Sequence, residues 1–346
     1  MKIIILILLF FSSTFNIVIS QQLPGAAKNF FLDDSVLHVT ITAPMNKILN
    51  NGGQGKDINY PAIFTYLLPD STSVTQDIKL EVRGHFRRSF CFIPPLRVNF
   101  NPNDSSFLPL SSLKKLKLVN SCLTNKIYNQ YLLMEFLIYK IFNLLTEKSF
   151  RVKLLDVTYL DKENKRKPVK VNAFLMESLK ELAKRNNCRE DKINGIKSEK
   201  TDRKQMTLVA LFEYMIGNTD WSVTVKHNIE TIMSIDDSTG RPYAIPYDFD
   251  YSGLINTPYA IPNEDLPIQK VQERLYRGYS RTIDELNEAL DVFKANKEKI
   301  YDLINHFELL SKEYKKGMIL YLDQFYDLIK DQRDIKNAFI YNARID

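Results

Sequence analysis

In the stretch GNTDWSVTVKHNIETIMSIDDSTGRPYAIPYDFDYSGLIN (217–256), polar residues collect between one helix and the next. The helix before it, TDRKQMTLVALFEYMI (201–216), opens on Thr201 and Asp202 as capping residues and sets Leu208, Leu211, Phe212 and Met215 on one stripe. Gly217 stands where a helix stop favours glycine. Two short strands, NIETIMSID (228–236) and RPYAIPYD (241–248), flank a DSTG turn. If the second strand persists through Asp248 and Asp250, both carboxylates face one side and Phe249 turns into the core. One loop thus offers Asn218, Asp220 and Asn228, and a strand end offers Asp248 and Asp250 before the Tyr251-Ser252-Gly253 turn. Chemistry on a phosphate needs such a set: a carboxylate orients the attacking hydroxyl, while an Asn and further carboxylates hold divalent cations against the phosphoryl charge. Singly, each residue is also an ordinary cap or turn former. Clustered beside the sole Trp221, they point to function.

Outward from this segment the chain divides in two. From 36 to about 120 it is strand-rich: SVLHVTIT (36–43), IFTYLL (63–68), DIKLEVRG (77–84), PLRVNF (95–100) and LKKLKLV (113–119), separated by turn clusters NNGGQGKD (50–57) and NPNDSS (101–106). A long helix follows, with Ile127, Tyr131, Met134, Ile138, Ile141 and Leu145 on one face. Strands over 150–160 and 169–176 and a short helix in ESLKELAKR come next, and from Thr282 the chain is nearly all helical. NNCREDKINGIKSEK (186–200) has linker composition. The expected organisation is a signal segment at 1–20, a sheet-rich N-terminal lobe at 21–190 and a helical C-terminal lobe at 191–346, an α+β protein.

NTDWS…HNIETI…PYAIPYDFDYSG resembles the catalytic segment of the atypical kinases related to the spore-coat CotH kinases, and more distantly the HipA-type kinases. Upstream, IKLEVRGHFRR followed by PPLRVNF is similar to the CotH-type arginine-glycine turn and the strand after it, and AFLMESLKELAKR to that family's strand-and-Glu element. The resemblance covers about residues 75–290 in the same order. It implies a two-lobed protein-kinase-like fold that transfers a phosphoryl group from ATP, with Mg²⁺ or Mn²⁺, to a protein or other hydroxyl acceptor. By position, Asp220 is the catalytic Asp, Asn228 a metal ligand, and Asp248 or Asp250 the metal-binding carboxylate, with Asp250 favoured because it lies nearer the turn. Glu177 then pairs with a basic residue that touches nucleotide phosphates, for which Arg97 and Lys117 compete. The turn Arg83-Gly84-His85-Phe86-Arg87-Arg88 lies at the cleft mouth and meets the phosphates through Arg83, since glycine allows close approach and guanidinium matches phosphate oxygens. Two departures stand out. Asn228 follows Asp220 by eight residues, against about five in kinase loops, and the N-terminal lobe has no GxGxxG.

Composition narrows the setting. The 346 residues, 45% hydrophobic and 25% charged, are those of a globular protein, and 47 Lys+Arg against 41 Asp+Glu leave +6. The basic residues are dispersed, so a nucleic-acid partner is not expected. One Lys followed by IIILILLFF and a polar SSTFNIVIS reads as a secretory signal peptide, with an uncleaved anchor as the rival. No later stretch is apolar enough to span a bilayer, so a secreted or extracytoplasmic location is expected. An oxidising compartment allows three pairings among Cys91, Cys122 and Cys188. Cys91 and Cys122 flank strands of one lobe, where neighbours bring Cα atoms within about 5.5 Å, so that pair is expected and Cys188 is left free. The four histidines, His38, His85, His227 and His306, form no metal-binding motif. The alternatives are a metal-dependent hydrolase, a glycosidase carboxylate pair, or a non-catalytic surface protein on a kinase-like scaffold.

Overall fold

The computed structural model describes residues 30–51, 58–67, 72–84, 86–101, 113–237 and 239–345. The expected signal segment, most of the turn clusters at 50–57 and 101–106, and His85 lie outside the described residues. Seven strands close into a barrel: β1 (Leu37–Ala43), β2 (Asn59–Leu67), β3 (Ser73–Val82), β4 (Leu96–Phe100), β5 (Lys115–Asn120), β6 (Val152–Asp161) and β7 (Val169–Met176). Their order is β1-β2-β3-β4-β5-β7-β6, and a parallel pairing of β1 with β6, from Leu37 opposite Leu155 to Ala43 opposite Asp161, shuts the seam. Every other pair is antiparallel. Alternation aims Ile41, Phe64, Leu80, Leu96, Val98, Leu118 and Leu155 into the barrel.

β6 and β7 are buried on both faces. Their outward residues Val152, Leu154, Phe174 and Met176 join a second core with the helices. The contact is made by α3 (Lys126–Leu145), which begins at Asn125, whose side chain accepts from the Tyr128 N–H. From Leu132 to Tyr139 this helix is buried without a break, because it packs on the barrel and on the C-terminal helices together. Its buried stretch includes one acid, Glu135.

The C-terminal part holds a three-stranded sheet, β8 (Cys188–Glu190), β9 (Ile229–Ser234) and β10 (Tyr243–Pro246), in the order β10-β9-β8. Around it lie α4 (Leu179–Arg185), α5 (Arg203–Ile216), α6 (Ile283–His306), α7 (Lys312–Leu328) and α8 (Gln332–Lys336). A capping box between Thr282 and Glu285 starts α6. The protein is therefore α+β, a closed barrel followed by helices.

Four local expectations change. Two short helices form that were not expected, α1 (Met45–Asn51), which runs into the start of the turn cluster at 50–57, and α2 (Phe86–Phe90), within the arginine-glycine turn. The linker 186–200 contains β8, which pairs with β9 from Cys188 opposite Ser234. Finally, β10 stops at Pro246, and Asp248 takes φ +64°, so strand alternation does not set the directions of Asp248 and Asp250.

Cys91 and Cys122 are joined, with Cα atoms 4.5 Å apart, and Cys188 is free and buried. Peptide mapping without reductant is expected to recover the 91–122 bridge, with Cys188 alkylated only after unfolding. Replacing both bridged cysteines by alanine should cost about 2–4 kcal/mol in denaturant melts; an unchanged midpoint would deny the bridge a stabilising role.

Candidate functional site

α5 ends on Gly217, at φ +67°, where a Cβ would meet the Tyr321 hydroxyl at 2.0 Å. The chain then turns back on itself. The Asn218 amide donates to Glu213 Oε2 at 2.9 Å, and its Oδ1 accepts from the Asp220 N–H at 3.1 Å. Ser222 and His227 exchange two backbone hydrogen bonds of 2.9 Å, so the residues between them form a closed loop. This brings His227 Nε2 to 2.8 Å from Asp220 Oδ1. The Asn228 Nδ2 donates to the Asp220 carbonyl at 2.8 Å and to Oδ2 at 3.1 Å. The long spacing is thus absorbed by a bulge, and Asp220 and Asn228 touch.

The Tyr247 N–H bonds to the Asn228 carbonyl at 3.0 Å and joins this loop to the next. There the Asp248 N–H donates to Tyr139 Oη at 2.8 Å, and Phe249 is fully buried, 4.7 Å from the Tyr139 ring and 5.6 Å from that of Phe212. Asp250 differs from its neighbour. It is buried, Oδ2 accepts from Tyr259 at 3.0 Å, and Arg87 Nη1 lies 3.5 Å from the same oxygen. Burial and the Asp248 charge push its carboxyl up to about 7, against the pull of Arg87. Asp248 has no side-chain hydrogen bond or ion pair among the described residues. The two carboxylates therefore differ in their surroundings: Asp250 Oδ2 is taken by Tyr259 and Arg87, whereas Asp248 has no such side-chain partner among the described residues.

Arg87 belongs to the turn expected at the cleft mouth, and its side chain points inward between Asp250 and Glu135 and donates to the Asn120 carbonyl at 2.9 Å. Glu135, 3.7 Å from Arg87, is driven well above the usual carboxylate range by burial and by Asp250.

On the barrel side, Lys117 projects outward from β5, its ammonium 4.0 Å above the Tyr247 ring, and burial with the nearby Arg83 pushes it down to about 8. Arg83 Nε donates to the Leu96 carbonyl at 3.2 Å; burial lowers its affinity for a proton and Asp248 restores part of it. Neither cation is within salt-bridge distance of a carboxylate among the described residues. Arg97 and Glu177 do not join them as expected. Arg97 pairs with Glu81, which also holds Lys115 at 3.0 Å. Glu177 pairs with Arg185 at 2.9 Å and accepts from the Arg151 N–H, because α4 folds back and carries Arg185 onto it.

A pocket of about 420 Å³ opens beside Asp220, lined among others by Trp221, His227, Tyr251, Ile261 and Leu266. A pocket of about 480 Å³ at the start of α3 shares no residue with it. No three or more His, Cys, Asp or Glu gather at metal-holding distance among the described residues. The contacts of His227 with Asp220 and of Tyr259 with Asp250 have no sequence signal beyond the nearness of His227 to Asn228 and of Tyr259 to the DFD triplet.

Glu213 underlies this loop from inside α5, and burial raises its carboxyl from 4.5 to about 8 despite the Asn218 hydrogen bond. Its folded pKa exceeds the unfolded one, so the fold holds the proton and stability falls as pH rises through 4.5 to about 8. Melting temperature is expected to drop between pH 5 and 8. Glu213→Gln should flatten part of that slope and gain a few degrees at pH 8, at about 2–4 °C per kcal/mol for larger domains.

No family model matches this sequence, and no curated protein is significantly similar to it, so the functional reading rests on this geometry.

Proposed function

We propose that the chain is an exported phosphotransferase of CotH-like type, moving a phosphoryl group from a nucleoside triphosphate to a hydroxyl acceptor. The observation that carries this is the pair Arg83 and Lys117, held beside an open Asp248 without a carboxylate at salt-bridge distance among the described residues. Confining cations without counter-ions is costly. A polyphosphate would repay that cost. Arg83 and Lys117 would hold phosphate oxygens, and Asp248 with Asn228 would hold the divalent cation that neutralises charge there. Asp220 would orient an acceptor hydroxyl entering from the adjoining pocket, its carboxylate aimed by His227 and Asn228. The 91–122 bridge fits an extracytoplasmic site, and no helix of the described residues is long and apolar enough to cross a membrane.

ATP with Mg²⁺ or Mn²⁺ is expected to raise the melting temperature. Stabilisation by metal or sugar alone would favour the hydrolase or glycosidase, and by none of these the scaffold. Asp220→Asn should lower transfer by about 10²–10⁴-fold with little change in melting, and Asp248→Asn should lower transfer and raise the metal concentration it requires. Transfer that survives both substitutions overturns the assignment. Asp250→Ala, in contrast, removes contacts to Arg87 and Tyr259 and should lower the melting temperature, with Glu135 left as the carboxyl beside Arg87.

A further inference from the structure

Resting on that reading, we propose that Arg87, clasped to the barrel by the Cys91–Cys122 bridge, is a positioning residue that sets the loop carrying Asp248. Arg87 Nη2 donates to the carbonyl of Asn120, the last residue of β5. One helical turn on, the Cys91 N–H bonds to the Arg87 carbonyl at 3.0 Å, Cys91 is bonded to Cys122, and the Phe92 N–H donates to the Cys122 carbonyl at 2.8 Å. α2 is therefore bolted to the end of β5, which also carries Lys117.

The other side of the guanidinium reaches both anchors of Asp248. Nη1 lies 3.5 Å from Asp250 Oδ2, whose backbone carbonyl is pinned by Thr257 at 3.1 Å. It lies 3.7 Å from Glu135, one turn before Tyr139, and the Tyr139 hydroxyl receives the Asp248 N–H. Asp248 is thus held at φ +64° by a hydrogen bond to α3 and by its chain neighbour Asp250. Both supports converge on Arg87. The hydrogen bonding of this group is incomplete: Arg87 Nε and Glu135 Oε1 are buried without partners among the described residues. Lysine carries the charge but lacks the planar fork that meets Asn120 and two carboxyls at once.

The test uses the full oxidised protein and a non-hydrolysable ATP analogue, with binding measured calorimetrically in Mn²⁺ and again in EDTA. In Arg87→Lys and in Cys91→Ala/Cys122→Ala, the dissociation constant in Mn²⁺ should rise by about 10- to 100-fold while that in EDTA stays within about twofold. Should Arg87→Lys fail to fold, the double alanine, which keeps Arg87, decides; dithiothreitol reduction of folded wild type should then reproduce its loss. Equal weakening in Mn²⁺ and EDTA, or Mn²⁺-dependent binding retained by both variants, overturns the positioning role and leaves the phosphotransferase reading standing. A wild type whose binding ignores Mn²⁺ overturns that reading, and this inference with it.

Discussion

A single guanidinium faces two buried carboxyls at the junction of barrel and helices, and the site takes its form from how that imbalance is settled. Arg87 cannot neutralise both Glu135 and Asp250, so the pair sheds charge by holding a proton. Burial and mutual repulsion raise both carboxyls, Glu135 well above its ordinary range and Asp250 up to about 7. Asp250 is then internally committed to Arg87 and Tyr259. Its neighbour Asp248 is left facing the barrel cations without a bonded partner among the described residues. The division of labour between two nearby carboxylates thus follows from which one the arginine reaches.

α3 makes the arrangement possible. Its buried middle stretch serves as the wall of both cores, and the two polar groups of that stretch, Glu135 and the Tyr139 hydroxyl, stand one turn apart. Glu135 meets Arg87 from the barrel side, while Tyr139 receives the Asp248 N–H and packs on Phe249. Phe249 also reaches Phe212 of α5, the helix whose end presents Asp220. One aromatic side chain therefore ties the two acidic loops to the same wall, so their separation is set by core packing rather than by the loops themselves.

Much of the fold was legible because apolar periodicity is a local property. The strands of the first lobe, the long helix, the α5 stripe with its Asp202 cap and Gly217 stop, and the hairpin of β9 and β10 could all be placed from spacing. Barrel closure could not, since the parallel seam joins β1 to a strand more than a hundred residues later and leaves no local mark. The 91–122 bridge could be inferred from strand edges, whereas β8 was hidden by a polar composition that suits a short, partly exposed strand. In the site, residue types were legible and partnerships were not. Glu177 has the right chemistry for a basic partner, but which one depends on α4 folding back to deliver Arg185. That Arg87 faces Asp250 was not legible, because nothing near it in sequence records that its turn is helical.

The contact between Asp220 and Asn228 shows the same limit from the other direction. Their eight-residue separation is long for two side chains that act together, yet the two meet because Ser222 and His227 close the intervening chain with reciprocal hydrogen bonds. The closure has a chemical consequence. It carries His227 to Asp220 Oδ1, so each carboxylate oxygen gains a partner, one imidazole and one amide. A shorter loop would deliver the Asn alone. Extra residues between two functional positions can therefore add a third rather than separate the first two, because backbone pairing, not chain length, fixes the distance that chemistry needs.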